Sequence, residues 1–349
     1  MRPVPAEMGY YMPAEWRRHD STWLVWPKDP ETWPNRVPQV EEIFVQMMAA
    51  LTPHEVVNLL VDDAPTEASV RARCTFATAG NIRFHQIITV DSWIRDYGPN
   101  FLVNGQGTLA YNDWIFNAWG NKYEELKKDD RVPTRLQNIL SAQRFEPGIV
   151  LEGGSIEVNG AGVVLTTEQC LLNPNRNPGL ARTEIEEYLK DYLGVAKVLW
   201  LREGIVGDDT DGHIDDIARF VNATTIVCAV EDDRSDANYE ILQENLKRLA
   251  HMTDAKGRSF EIVTLPMPGI VGGESTDSRN LERLPASYAN FYIANGVVLA
   301  PIFGHENDAR ALEIIQRLFS DREVVGINCE PLVWGMGTIH CVTQQQPQA

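Results

Sequence analysis

Residues 155–165 read SIEVNGAGVVL, two short apolar-rich runs joined across an Asn-Gly-Ala-Gly turn. Asn and Gly tolerate the positive φ that tight hairpins need, so the stretch is read as strand, turn, strand. The same figure recurs at 100–110 (NFLVNGQGTLA), 218–229 (ARFVNATTIVCA) and 289–300 (ANFYIANGVVLA). The four starts, at 100, 155, 218 and 289, are 55, 63 and 71 residues apart. Apolar residues at three- and four-residue spacing predict helices over 38–51, 181–193, 236–251 and 306–320; Ile241, Leu242, Leu246 and Leu249 mark the third of these. A repeated unit of β-hairpin and helix predicts an α/β fold of modules around a central axis, with polar residues at module ends converging on one site. A chance likeness among common hairpins is the competing reading.

Around this repeat the chain is ordinary for a globular protein. Of its 349 residues, 44% are hydrophobic and 23% charged, which supports a substantial core and excludes long disorder. No Gly/Ser, Pro-rich or single-charge linker divides it, so one domain over 1–349 is expected. Lys and Arg number 31 against 49 acids, a net charge of −18. Such a field disfavours nucleic acid and anionic membranes and mildly favours cationic ligands. The five cysteines (Cys74, Cys170, Cys228, Cys329 and Cys341) form no CxxC pair and are odd in number, as in a reducing compartment. The opening residues lack the apolar run of a signal peptide, and no stretch is long and apolar enough for a membrane span. A cytoplasmic protein is expected.

Four segments hold the residue types that chemistry needs. The densest is Gly207-Asp208-Asp209-Thr210-Asp211-Gly212-His213-Ile214-Asp215-Asp216, with five carboxylates and a histidine. As an EF-hand with Gly212 at its sixth place, it would have Gly207 first and Ala218 last, leaving two ligands missing. A catalytic metal site lacks any HExxH-type pairing. An acidic pocket for a cation, with His213 as acid and base, remains; a strand starting at 213 would point His213 and Asp215 to one face. In Trp93-Ile94-Arg95-Asp96-Tyr97-Gly98-Pro99, the reading is a strand end delivering side chains into a cleft, against a surface Arg95–Asp96 pair with Trp93 as packing. Glu152-Gly153-Gly154-Ser155 allows close backbone approach beside an acid. Gly335-Met336-Gly337-Thr338-Ile339-His340-Cys341 sets a cysteine after a glycine-rich turn, either an exposed nucleophile or a buried small hydrophobe.

Taken together and in order, MPAEW (12–16), TWLVWP (22–27), WIRDYGP (93–99), FNAWGNKY (116–123), EGGSIEVNG (152–160), GDDTDGHIDDIARF (207–220) and GTIHCVTQQQP (337–347) resemble the agmatine deiminase family of guanidine-modifying enzymes. The likeness spans residues 12–347. It implies a five-bladed α/β propeller with pseudo-fivefold symmetry, built of ββαβ modules around a central active site. It implies Cys341 as nucleophile, His213 as general acid and base, and Glu152 as electrostatic support. Asp96 and Asp215 grip the guanidinium in that reading, Asp209 contacts the substrate, and Trp93 packs along its aliphatic part. The implied reaction converts agmatine to N-carbamoylputrescine and ammonia with no metal or organic cofactor. A homodimer is compatible with the resemblance. Peptidylarginine or free-arginine deiminase, amidinotransferase and a non-catalytic propeller binding protein are the alternatives. Arg95 and Arg202 are candidates to meet a substrate carboxylate. The family often has glycine where Met336 stands and asparagine where Thr338 stands.

Overall fold

A computed structural model describes residues 3–77, 80–269, 271–272 and 283–349. All four hairpins are present as antiparallel pairs: Asn100–Asn104 with Leu109–Asn112, Glu157–Val158 with Val163–Thr167, Ala218–Asn222 with Thr225–Val230, and Tyr292–Ile293 with Val297–Ile302. After each hairpin the chain crosses through a helix and returns as a third strand parallel to the second. Parallel pairing requires such a crossover, because a two-residue turn reverses direction.

The fifth sheet is made from the two ends of the chain. Gln344–Pro347 pairs antiparallel with His19–Val25, and Val56–Val61 and Ile82–Gln86 extend the sheet in parallel. The described strands thus form five sheets of mixed direction. No local turn joins the two strands of this fifth pair, so no hairpin signal exists in the sequence to reveal it.

The four expected helices occur as Val37–Leu51, Arg182–Leu193, Tyr239–His251 and Asp308–Leu318. Ile185, Leu189 and Leu193, four residues apart, form the buried stripe of the second, and Gly194 ends it at φ 64°. A Cβ at Gly194 would lie 2.6 Å from the Tyr10 carbonyl oxygen, so only glycine fits there. Two further helices, Ala64–Arg73 and Val132–Leu140, escape the periodicity reading. Ala64–Arg73 buries only Val70 and is held at its start by the Asp63 carboxylate accepting from the Thr66 amide at 2.8 Å.

Between the sheets runs a buried ionic axis, drawn from distant parts of the chain. Arg219 Nε donates to Glu157 at 2.9 Å, and its Nη2 lies 3.0 Å from Glu15 Oε1. His340 stands between Glu15 Oε2, at 2.8 Å, and Asp215 Oδ2, at 2.7 Å. An imidazole donates to two carboxylates only when it carries both ring protons. Arg219 also donates to the Phe291 carbonyl at 2.6 Å, which ties a fifth segment to the axis.

Candidate active site

The Gly335–Gly337 turn sets Cys341 at the floor of a cavity of about 560 Å³, whose wall includes Trp93, Asp96, Trp119, Asp209 and Met336. Met336 sits at φ 72°, a conformation that glycine adopts freely and that strains a side chain with a Cβ. Gly337 must be small: a Cβ there would lie 2.7 Å from Trp93 Cζ3 and 3.1 Å from Cys341 Cβ. The Cys341 sulfur lies 3.3 Å from Asn290 Nδ2 and 3.9 Å from Asp215 Oδ2. Burial raises its thiol well above the usual range, and the carboxylates of Asp215, Asp216 and Asp96 raise it further. These acids would stop opposing the thiolate once a cation stood among them.

Asp96 comes from a single helical turn, Ile94–Tyr97, rather than the expected strand end. The turn is pinned to the nucleophile segment by the Arg95 amide donating to the Cys341 carbonyl at 3.2 Å. Both Arg95 and Asp96 are buried, so the surface-pair reading fails. Asp96 accepts from the Gly154 amide at 3.0 Å and from Trp119 Nε1 at 2.9 Å. Burial first, then Asp215 and Glu152, push its carboxyl up to about 6 against the opposing pull of His213.

His213 does not open a strand. Residues Ile214–Asp216 form a 3-10 turn, and the strand begins at Ala218. Its side chain nevertheless meets Asp215, because the turn wraps both around Gly154. An added Cβ at Gly154 would lie 2.6 Å from His213 Nδ1, 2.8 Å from Asp96 Oδ1 and 3.1 Å from Asp215 Oδ2. Three functional groups converge where the Glu-Gly-Gly segment has no side chain. Burial disfavours the charged imidazole, but Asp96 at 3.7 Å and the neighbouring Cys170 and Glu152 prevail and hold His213 well above its usual range. Asp215 behaves oppositely to Asp96: burial would raise it, yet the bond from His340 keeps it below its ordinary value. Its Oδ1 is buried with no hydrogen-bond partner.

Glu152 is fully buried and accepts from Arg176 Nε at 2.6 Å, while its second oxygen has no hydrogen-bond partner. Asp209 stands at the mouth, taking the Tyr123 hydroxyl at 2.5 Å with Lys122 Nζ at 3.4 Å. Trp93 lines the cavity and donates to Asp91 at 2.9 Å. All seven sequence-derived residues therefore belong to one neighbourhood, with Glu152, His213 and Asp215 behind the wall rather than among its lining residues. The five acids of the 207–216 block have separate surroundings. Asp208 ties the loop by accepting from the amides of Thr210, Gly212 and His213, and Asp211 pairs with Arg176.

Residue-by-residue reading missed four supports. Asn290 lay inside a segment read only as hairpin, yet its Oδ1 accepts from the Thr338 hydroxyl and the His340 amide beside Cys341. His340 was visible next to the cysteine but had no assigned work. Arg176, in the loop NPNRN, and Trp119 carry no local signal of their own. Trp119 stands in a left-handed run, Ala118 to Asn121 at φ 55°, 54°, 90° and 65°, which aims its indole at Asp96.

Thiol, imidazole and opposed carboxylates at these separations make up the type of site by which cysteine enzymes attack a cationic carbon. The chain belongs to the Porphyromonas-type peptidyl-arginine deiminase family, which it matches over residues 11–347. It is 39% identical over 361 residues to the agmatine deiminase of Ectopseudomonas mendocina (strain ymp), covering 99% of this chain and 97% of that one. The structure is similar to the agmatine deiminase of Enterococcus faecalis, with a TM-score of 0.93 at 36% identity over 99% of this chain and 98% of that chain. Against the agmatine deiminase of C. jejuni the TM-score is 0.84 at 28% identity, over 97% and 96%.

Proposed function

We propose that the chain is an agmatine deiminase, which hydrolyses agmatine to N-carbamoylputrescine and ammonia through a covalent intermediate on Cys341. The observation that carries the reading is Cys341 lining one cavity with the Asp96 carboxylate, while Asp215, buried behind the lining, lies 3.9 Å from its sulfur and keeps one oxygen without a hydrogen-bond partner. A planar guanidinium offers paired N–H donors to two such acids. Held there, it neutralises the charges that keep the thiol protonated; the thiol proton is released to solvent, and the thiolate attacks the guanidinium carbon. His213, protonated in the resting site, gives its proton to the leaving nitrogen, and ammonia departs from an S-alkylthiouronium. The neutral imidazole then takes a proton from water, whose oxygen adds to the same carbon. Collapse expels Cys341 and frees the ureido product. Trp93 and Trp119 flank the aliphatic chain, and Asp209 with Tyr123 receives the distal ammonium.

Charge at the mouth favours agmatine over arginine. Among the described lining residues seven are acidic and one, Lys122, is basic, and Lys122 is already paired with Asp209 and Asp211. Neither Arg95 nor Arg202 lines the cavity: Arg95 is buried 3.6 Å from Glu15, and Arg202 pairs with Glu203 outside it. A substrate carboxylate would meet no free cation there.

The five sheets, each with at least one antiparallel and at least one parallel pairing, support a five-bladed propeller of pseudo-fivefold symmetry in one domain. A cytoplasmic homodimer completes the reading. The test is ammonia and ureido formation from agmatine, free arginine and peptidyl-arginine beside Cys341→Ala. Turnover of agmatine alone, lowered at least ~10⁴-fold in the variant, is expected. Preference for either arginine substrate overturns the substrate, and no turnover by folded protein overturns the chemistry.

A further inference from the structure

Behind the cavity, three atoms of ligand type meet outside its lining residues. A carboxylate oxygen of Glu152, the sulfur of Cys170 and a ring nitrogen of His213 all lie within 4.8 Å of one another. Glu152 and Cys170 have no exposed surface and His213 has 1%. Nδ1 of His213 faces Asp96, while Nε2 is buried with no hydrogen-bond partner. Glu152 Oε2 has no hydrogen-bond partner either. Two such atoms beside a buried thiol are a costly arrangement, since buried polar groups are ordinarily satisfied. Arg176 engages the other oxygen of Glu152 and leaves Oε2 available.

We propose that Glu152, Cys170 and His213 form an inhibitory site for a divalent cation of borderline softness, with Zn²⁺ as its representative. Sulfur, imidazole nitrogen and carboxylate oxygen are the donors zinc takes, and three protein ligands with one open position is a common arrangement. At ordinary bond lengths tetrahedral zinc ligands stand about 3.5 Å apart, so the three side chains need to close by no more than about 1.3 Å. Cys170 is carried on the short helical turn Glu168–Leu171, where its amide donates to the Thr167 hydroxyl at 3.2 Å. Binding replaces the thiol proton of Cys170, which is released to solvent, and needs no oxidant. The Arg176 guanidinium opposes a cation at this spot, and the carboxylates of Asp96 and Asp216 around His213 offset it.

The inhibitory consequence rests on the proposed deiminase reading; the binding does not. An imidazole bound to metal through Nε2 is no longer an imidazolium and keeps only its Nδ1 proton, a far weaker acid, so it protonates the leaving nitrogen poorly. Because Glu152 and Cys170 do not line the substrate cavity, the metal lowers kcat with little change in KM, and agmatine does not protect.

The test uses the full chain stripped of metal by a chelator. Zn²⁺ binding is measured by calorimetry, and Co²⁺ is used as a spectroscopic probe of thiolate ligation in the near ultraviolet. One Zn²⁺ per chain is expected, with a thiolate–Co²⁺ band that survives Cys341→Ala. Cys170→Ala is expected to abolish the band and weaken Zn²⁺ at least ~100-fold. Cys170→Ser is the second variant should the alanine not fold, and it too loses the band. A band lost in Cys341→Ala but kept in Cys170→Ala places the metal on the nucleophile and overturns the site. No saturable Zn²⁺ binding also overturns it. A band with undiminished agmatine turnover keeps the site and overturns the inhibition. Metal-free protein that never turns over agmatine overturns the deiminase reading and leaves the band readable.

Discussion

Asp96 and Asp215 converge on the same spot beside Gly154, yet their surroundings drive them in opposite directions. On the side of Asp96 the helical turn 94–97 supplies hydrogen bonds from an amide and an indole, but no bonded cation, and the carboxyl rises to about 6. Asp91, three residues from this turn, is likewise pushed up to about 7 by burial and by Asp29, despite bonds from Thr32, Ser92 and Trp93. On the side of Asp215 the ionic axis delivers His340 at 2.7 Å, with Arg219 close behind, and the carboxyl stays below its ordinary value. Burial is common to both sides. What differs is how closely the fold couples positive charge to each acid: His340 is hydrogen-bonded to Asp215, whereas His213 stands 3.7 Å from Asp96 and does not offset its burial. One acid is compensated within the fold and the other is left able to gain from an incoming cation.

The largest expected effect comes from removing that compensation. Arg219→Met leaves Glu157 buried without its cation and Glu15 with one fewer, and should cost about 3–5 kcal/mol, read by chemical denaturation. A loss under about 1 kcal/mol would mean that the axis does not hold the sheets together.

The uncompensated side is tested through pH. The folded carboxyl of Asp91 titrates at about 7, above its ordinary 3.8, so the native state holds its proton longer than the unfolded chain. Its stabilising contribution is complete below 3.8 and is lost as pH rises through about 7. Asp91→Asn removes this dependence whatever its fixed cost in hydrogen bonds. Between pH 4 and 8 the variant should gain on the parent by up to about 4 kcal/mol. Parallel stability curves would refute the raised carboxyl.

A third effect is kinetic. Asp96 must be ionised to hold a guanidinium, so kcat/KM for agmatine should fall about tenfold per pH unit below an apparent value of about 6. An acid limb that extends unchanged down to pH 4 would show that Asp96 is compensated after all.

The smallest effect is expected at Met336. Glycine relieves its positive φ, so Met336→Gly should raise stability by up to about 1 kcal/mol, read as a higher Tm. A lower Tm would show that the packing of the methionine side chain outweighs the backbone strain.

Much of this arrangement was legible in the chain. The hairpins were readable because Asn-Gly turns and apolar strands are adjacent in sequence, and four helices because their buried faces recur every three or four residues. Ala64–Arg73 was not, since a helix burying only Val70 shows no such face. The strand expected at 213 became a 3-10 turn, because Asp208 captures the amides of Gly212 and His213 and bends the backbone before the sheet begins.

The sequence by itself determined the repeating α/β units and the family, and it brought forward Cys341, His213, Asp96, Asp215 and Glu152 as candidates, since these signals are carried by neighbours along the chain. Only the tertiary structure decided the fifth sheet, whose paired strands come from opposite chain ends. It alone also decided which acids are compensated. A buried carboxylate's charge depends on cations within a few ångströms, and Asp215 takes its partner His340 from 125 residues away.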